Sequence, residues 1–234
     1  MSDAVRNAVV VGNSDGIGLA LTRRLLADGW RVAGFSRRAV DLTEPGYAHH
    51  TVDVTSADYP QVLGRAVTDL GRVDLCVYAA GVGEPVDVTD LTTQTHAVEV
   101  NLMGAVRTVA VVVPVMVAAG SGHLVGLSSL ADRMVSPEAP GYAAAKAGLS
   151  TYLRGLSAAL RGHGVRVTTV RFGFVDTKMA KGPVRPLMLS VDRAVEILMN
   201  CVRTRPVQVS RPRRMALLTS ALAGLTRLSS RARR

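Results

Sequence analysis

Tyr142-Ala-Ala-Ala-Lys146 holds the two side chains in this 234-residue chain best suited to moving a proton. An i, i+4 spacing puts phenol and ammonium on one face of a helix. A nearby ammonium lowers the pKa of a phenol, so the tyrosine can exchange a proton with a substrate oxygen near neutral pH. Lysine is scarce, with only Lys146, Lys178 and Lys181 against 25 arginines. A lysine at a chemical position is therefore a hint that arginine would not serve there. Ser129 comes thirteen residues before the tyrosine, just past an apolar run, where a hydroxyl can polarise the same oxygen. Asn101 sits inside a long helical pattern, where its side chain competes with backbone bonds. Anchoring a water and kinking the helix are two uses for it. The others have plainer uses as well: Tyr142 as a packed aromatic, Lys146 as a solvated charge, Ser129 as a loop residue.

A second group of residues suits an anion. Ala8-Val-Val-Val-Gly12 runs into Asn13-Ser14-Asp15-Gly16-Ile17-Gly18 and then a helical pattern. Glycines at 12, 16 and 18 let the backbone turn tightly and approach a pyrophosphate, while the helix N-terminus offers free N–H groups. The spacing alone is common and also suits an ordinary tight turn. Its place between the first strand and the first helix makes it a dinucleotide signal. At the end of the second strand, where an acid would hold a ribose 2′-hydroxyl, stand Ser36-Arg37-Arg38. Arginine grips phosphate in bidentate fashion, which favours a 2′-phosphate and hence NADPH over NADH; two solvated arginines are the alternative. Asp53, followed by Val54, either accepts a hydrogen bond from an adenine amine or caps a helix that begins near Ala57.

These groups need a frame. Short β-branched runs alternate with longer helical patterns, which predicts an α/β fold: a Rossmann-like doubly wound parallel sheet of about seven strands with helices on both faces. Strands are expected near Asn7–Gly12, Arg31–Ser36, His49–Val54, Val73–Ala79, His123–Ser128, Val165–Arg171 and Val207–Ser210. Helices are expected near Gly16–Asp28, Ala57–Leu70, Leu91–Ala118, Gly141–Arg161 and Val191–Arg203, the last capped by Ser190. The organisation expected is one NADP-binding catalytic domain over residues 1–210 and a basic amphipathic tail over 211–234.

Composition narrows the class. A hydrophobic content of 48% with few aromatics suits a soluble α/β domain. No early signal peptide is expected, and no uncharged apolar stretch is long enough to span a membrane; even Val109–Gly122 stops short and contains Pro114. Cys76 and Cys201 read as small core residues, so a reducing cytoplasm is the default. The five histidines lack metal-ligand spacing and read as structural or surface residues, so no metal is expected. The net charge of +10 is misleading as a nucleic-acid signal, because nine arginines lie beyond Glu196, the last acidic residue. Without them the body is nearly neutral. The tail has no aromatic for base stacking and interleaves leucines, which argues against nucleic acid as partner.

Taken together, the motifs resemble the short-chain dehydrogenase/reductase family, NADP-preferring type. The matching pieces are Gly12-x-x-x-Gly16-Ile-Gly18, Asp53-Val54, Ala79-Ala80-Gly81, Asn101, Ser129, Tyr142-x-x-x-Lys146 and Gly173-Phe-Val175-Asp-Thr177. They occur in family order from residue 7 to about 202. The resemblance implies Tyr142 as proton donor, Lys146 binding the nicotinamide ribose and tuning the tyrosine, and Ser129 orienting the carbonyl. It also implies Asn101 in a water-linked proton relay, Val175 and Thr177 near the nicotinamide carboxamide, and a homodimer or homotetramer built through the helices of Asn101 and Tyr142. Three positions depart from the family pattern: Val11 for Thr, Tyr78-Ala79 for Asn-Asn, and Phe172 for Pro. The first two remove groups that tie strands and loops together, which puts local stability in doubt. Phe172 would stand beside the nicotinamide and alter substrate access.

Met134, Val135 and the methionines and leucines between Thr177 and Ser190 suggest an adaptable apolar cleft, favouring a hydrophobic carbonyl. The function expected is an NADPH-dependent carbonyl reductase or alcohol dehydrogenase. The alternative is a nucleotide-binding sensor or scaffold with little turnover. In the tail, Met215, Leu218, Leu222 and Leu225 recur at helical spacing, widened by Leu217, Ala221 and Leu228. A helix packed on its own domain or a second subunit, a peripheral helix on an anionic membrane surface, and disorder all remain open for it.

Overall fold

Val9 and Val11 of the first strand pack into one core cluster and Ala8 and Val10 into another, so successive residues serve opposite faces of the sheet. Such two-sided burial is what a parallel sheet covered by crossover helices requires. The structure is a computed structural model and describes residues 5–180 and 187–216. Seven strands form one sheet: β1 (Asn7–Val11), β2 (Arg31–Ser36), β3 (Tyr47–Thr51), β4 (Leu75–Tyr78), β5 (Gly122–Ser129), β6 (Val165–Phe172) and β7 (Gln208–Arg211). Their order is β3-β2-β1-β4-β5-β6-β7 and every pairing is parallel. The order reverses between β1 and β4, and in such sheets the crevice beyond the carboxyl ends at that point takes the ligand.

The helices are α1 (Gly16–Ala27), α2 (Tyr59–Leu70), α3 (Thr92–Val98), α4 (Gly104–Ala118), α5 (Pro140–Ala159) and α6 (Val191–Thr204). Tyr59 and Leu63 of α2, Val112 and Met116 of α4 and Leu149 and Leu153 of α5 fill one face. Leu21 and Leu25 of α1 with Ala194 and Leu198 of α6 fill the other. Ser190 caps α6 by accepting the Arg193 N–H at 3.2 Å, as its sequence position suggests.

Two expectations needed correction. The third strand lies at Tyr47–Thr51 rather than His49–Val54, because the Asp53 carboxylate accepts both the Thr55 N–H and the Thr55 hydroxyl at 2.8 Å and turns the chain out of the sheet. That turn also answers the choice left open for Asp53 in part: α2 starts at Tyr59, and its N-cap position is Asp58. The helix expected over Leu91–Ala118 is interrupted by a π turn at Glu99–Met103 that separates α3 from α4. The whole helical run Thr92–Ala118 is long and apolar enough to cross a membrane by length and composition, although Glu99 and Arg107 lie inside it. Here its apolar side faces the sheet through Ala105, Val109, Val112 and Met116.

Of the tail, Arg211 belongs to β7 and residues 213–216 are helical. Met215 lies against Gly173: a Cβ on that glycine would come within 2.5 Å of the Met215 sulfur. The rest of the tail's apolar stripe, and residues 181–186 of the segment between Thr177 and Ser190, fall outside the described residues.

Candidate active site

The glycine loop after β1 is shaped by close approaches that only glycine permits. Gly12 has φ +88°, and a Cβ on it would fall 2.4 Å from the Ala80 nitrogen, so the loops after β1 and β4 abut directly. A Cβ on Gly18 would fall 2.0 Å from the Gly12 oxygen, which seats α1 hard against the loop. Gly16, at φ +48°, lies under the Thr177 methyl. Thr177 therefore reaches from beyond β6 over the loop that Ser14, Gly16 and Ile17 form, while Val175 is buried in the core. Asp15 caps α1 by accepting the Gly16 N–H at 2.8 Å. Lys178, at 2.9 Å, holds the Asp15 carboxyl below its ordinary range, with Gly16 and Arg38 adding to the effect.

Beneath this loop runs a directional chain. Asn13 Nδ2 donates to the Tyr47 hydroxyl at 2.6 Å, Tyr47 lies 3.0 Å from His49 Nδ1, and His49 Nε2 lies 3.1 Å from the Arg38 carbonyl. That carbonyl accepts only, so His49 carries its proton on Nε2 and Tyr47 donates to Nδ1. Ser36 is occupied in the same way, donating to the Arg38 carbonyl at 2.7 Å. The chain fixes the bend that presents Arg37 and Arg38. Their guanidinium groups rest against Asp53 at 3.9 Å and Asp15 at 3.3 Å, more than half exposed.

The proton-handling residues meet at the carboxyl ends of β4 and β5. Ser129 ends β5, and its hydroxyl acts on the phenol of Tyr142 in the first turn of α5. Burial pushes the Tyr142 phenol up, and the nearby Ser129 hydroxyl opposes that in part. Lys146 is 5% exposed, its Nζ lies 5.6 Å from the Tyr142 ring centre and donates to the Leu127 carbonyl at 2.9 Å. Burial lowers its pKa to about 8. The ammonium is thus turned to a backbone carbonyl, and burial rather than the lysine dominates the phenol. Asn101 stands in the π turn, where its Nδ2 donates to Val82 O and Ala97 O, both at 2.7 Å, and its Oδ1 accepts the Val82 N–H at 3.3 Å. The side-chain amide is spent on backbone partners. It shapes the helix and anchors the Gly81–Val82 loop, and whatever it offers a proton relay comes through the backbone it positions.

A pattern for short chain dehydrogenases matches residues 6–185. An uncharacterised oxidoreductase of Myxococcus xanthus is 35% identical over 228 residues, covering 92% of this chain and 90% of that protein. The chain belongs to the short-chain dehydrogenase family. Among its relatives is a 1-deoxy-11-beta-hydroxypentalenate dehydrogenase of Streptomyces exfoliatus, 34% identical over 206 residues, covering 81% of this chain and 74% of that one. A short-chain dehydrogenase from Burkholderia cenocepacia J2315, solved with NADP, superimposes with a TM-score of 0.84 at 24% identity, over 98% of this chain and 97% of that chain. This dehydrogenase is accordingly an oxidoreductase of alcohol and carbonyl groups that works with a nicotinamide dinucleotide.

The groove of the dehydrogenase fits such a cofactor by its own geometry. The close approaches at Gly12 and Gly18 bring the loops after β1 and β4 together at a helix start whose first N–H groups have no partner within the helix, the arrangement that receives a pyrophosphate. Ala79, Ala80 and Gly81 form the facing wall. A Cβ on Gly81 would sit 2.8 Å from Asn101 Oδ1 and 3.6 Å from Lys146 Nζ.

Two departures from the family pattern read differently in three dimensions. Tyr78 replaces the missing tether with another, donating its hydroxyl to the Val100 carbonyl at 2.6 Å. Phe172 is 4% exposed and packs in the core with Leu127 and Val175, away from the cleft. Sequence reasoning also missed Gln94, whose Nε2 donates to Glu84 O and whose Oε1 accepts the Gly141 N–H, each at 3.1 Å, one residue before Tyr142. Its only sequence signal is a polar residue on an inward helical position.

Proposed function

We propose that the chain is an NADPH-dependent carbonyl reductase, or alcohol dehydrogenase in the reverse direction, acting on an apolar substrate from one catalytic domain over residues 1–210. The observation that carries this reading is the buried Lys146 ammonium 5.6 Å from the Tyr142 ring, with the Ser129 hydroxyl close enough to act on the phenol. A bound nicotinamide dinucleotide supplies hydride chemistry in the groove. Tyr142 then gives its phenolic proton to the substrate oxygen as negative charge grows there, and Ser129 donates a hydrogen bond that holds the oxygen in place. Lys146 stabilises the phenolate left behind. Asn101 keeps the Gly81 wall at the right depth.

Arg37 and Arg38 support the 2′-phosphate reading on energetic grounds. Their present ion pairs are exposed and are worth about 0–1 kcal/mol. A charge-assisted bond to phosphate is worth about 1.5–3 kcal/mol, so exchanging partners is favourable. The apolar substrate rests on Met134, Val135, Met179, Leu187 and Met188, all exposed large side chains. Met179 stands over Gly81, beside Lys146.

NADPH oxidation against a diverse carbonyl panel tests the reading. Tyr142→Phe is expected to abolish turnover while cofactor affinity stays within about twofold, since only the proton-transferring hydroxyl is lost. Arg37→Ala is expected to cost roughly ten- to a hundredfold in NADPH affinity and little in NADH affinity. A Tyr142→Phe enzyme as fast as wild type would overturn the mechanism, and equal wild-type affinity for both cofactors would overturn the NADPH preference.

A further inference from the structure

Directly behind the proton-handling residues lies a buried charge pair that the reductase mechanism does not use. The side chains of Arg171 and Asp132 are 3% and 5% exposed. Arg171 stands on β6 and reaches the short 3₁₀ turn Leu130–Arg133 that follows Ser129. Its Nε donates to Asp132 Oδ2 at 2.6 Å and its Nη2 donates to Oδ1, a two-pronged grip. The same Oδ2 accepts the Ser150 hydroxyl at 2.6 Å. Ser150 has then spent its single proton, so Ser128 is the donor in their 2.7 Å contact. The Lys146 carbonyl, 3.1 Å away, shares that one Ser128 proton as a second, longer acceptor. Ser128 immediately precedes Ser129, and Ser150 lies one helical turn beyond Lys146 on α5. One connected set of bonds therefore ties β6, the loop carrying Ser129 and the lysine's turn of α5.

Stability is a poor explanation for this arrangement. Desolvation cancels much of the attraction in a buried ion pair, and replacing such a pair by apolar residues is often neutral. A bidentate fork does fix angle as well as distance. The Ser129 hydroxyl accepts the Ala131 N–H at 3.1 Å, and Ala131 neighbours Asp132 in the 3₁₀ turn, so a tilt of that turn moves the hydroxyl. We propose that Asp132 and Arg171, acting through Ser150 and Ser128, are positioning residues that hold Ser129 in register with Tyr142 and Lys146. The assignment rests on the reductase reading for the roles of those three residues.

Ser150→Ala in the full chain tests it, because it leaves both Arg171–Asp132 bonds in place and removes the one hydroxyl that links Asp132 to Ser128. The kcat should fall about tenfold, as small misplacements of reacting groups do, while KM for NADPH and the melting temperature hardly move. Ser150→Thr, which keeps the hydroxyl, should recover most of the rate. Amide hydrogen exchange should quicken at Ala131 and Met134 in Ser150→Ala and stay unchanged elsewhere, a readout that needs no substrate. The paired Asp132→Leu/Arg171→Met variant should stay folded and yet be slow. Unaltered exchange at those amides overturns the proposal, and so does unaltered kcat. The two readings fail separately: a wild type that reduces no carbonyl sinks the reductase, whereas an active wild type matched by Ser150→Ala sinks the positioning network alone.

Discussion

Lys146 has to stay charged in a place that disfavours charge. Burial brings its pKa down to about 8, and the 2.9 Å bond to the Leu127 carbonyl is its described partner. Tyr142 moves the opposite way, since burial favours the neutral phenol. In the reducing direction the tyrosine must begin protonated, and upward displacement keeps it so across the neutral range. The alkaline limit of reduction then belongs to the lysine. The expected result is a kcat/KM profile that declines above about pH 8 as the ammonium is lost, and that extends to higher pH in Lys146→Arg. Because kcat/KM reports the free enzyme, the profile reads the ionisation of this site directly. A limb unmoved in Lys146→Arg would assign it to another group. That Tyr142 and Lys146 share one face of a helix was legible from spacing, because i, i+4 geometry survives from sequence to helix. The orientation of the lysine was not, since the carbonyl it chose belongs to a strand nineteen residues away.

At the scale of elements, the β-branched runs and the glycine loop could be read because their periodicity and position carry the signal. The π turn could not. It shifts bonding without interrupting the apolar stripe, and Asn101 was its single trace. Its neighbourhood depends on a fit between Tyr78 and Gly104 that no local pattern encodes. The Tyr78 hydroxyl reaches Val100 only because Gly104 leaves room; a Cβ there would fall 2.2 Å from the hydroxyl and 2.9 Å from a Val54 methyl. Gly104 is helical, so alanine's intrinsic preference would favour the substitution by about 1 kcal/mol in an open helix. Overpacking at this site should outweigh that, for a net loss on the order of 1–2 kcal/mol. Urea denaturation of Gly104→Ala checks the sign. Tyr78→Phe should cost about 1 kcal/mol by losing one hydrogen bond, and Tyr78→Phe/Gly104→Ala should be less destabilised than the sum of the two changes, because each removes the other's reason. Additive losses would show that the two residues do not share one fit.

Across the whole molecule, the net charge of +10 and a histidine buried near the amino end of β5 decide the response to acid. His123 begins β5 at 1% exposure, with Nε2 bonded to the Thr168 hydroxyl at 2.8 Å; Thr168 passes its own proton to the Pro206 carbonyl. Burial, aided by the charge of Arg205, holds its pKa down at about 4 against an ordinary value of 6.5. In sequence it looked like any other structural histidine, because the partners that bury it come from β6 and the end of α6. Its folded pKa lies below its unfolded one, so between pH 6.5 and 4 the unfolded chain binds the proton first. Stability is therefore full above pH 6.5 and falls as the pH drops through that window. His49 and His50, also lowered chiefly by burial, act in the same direction. Carboxylates with lowered pKa values, such as Asp15 and Asp53, take effect only below about pH 4. Charge repulsion grows over the same range, but equally in wild type and in a variant that differs at one neutral side chain. Comparing unfolding free energies at pH 7 and pH 4.5 for wild type and His123→Gln isolates the histidine. The wild type should lose on the order of 2–3 kcal/mol more than the variant over that interval. Equal losses would mean that His123 is already charged in the folded protein, and that the pocket formed by Thr168 and Arg205 opens to water in solution.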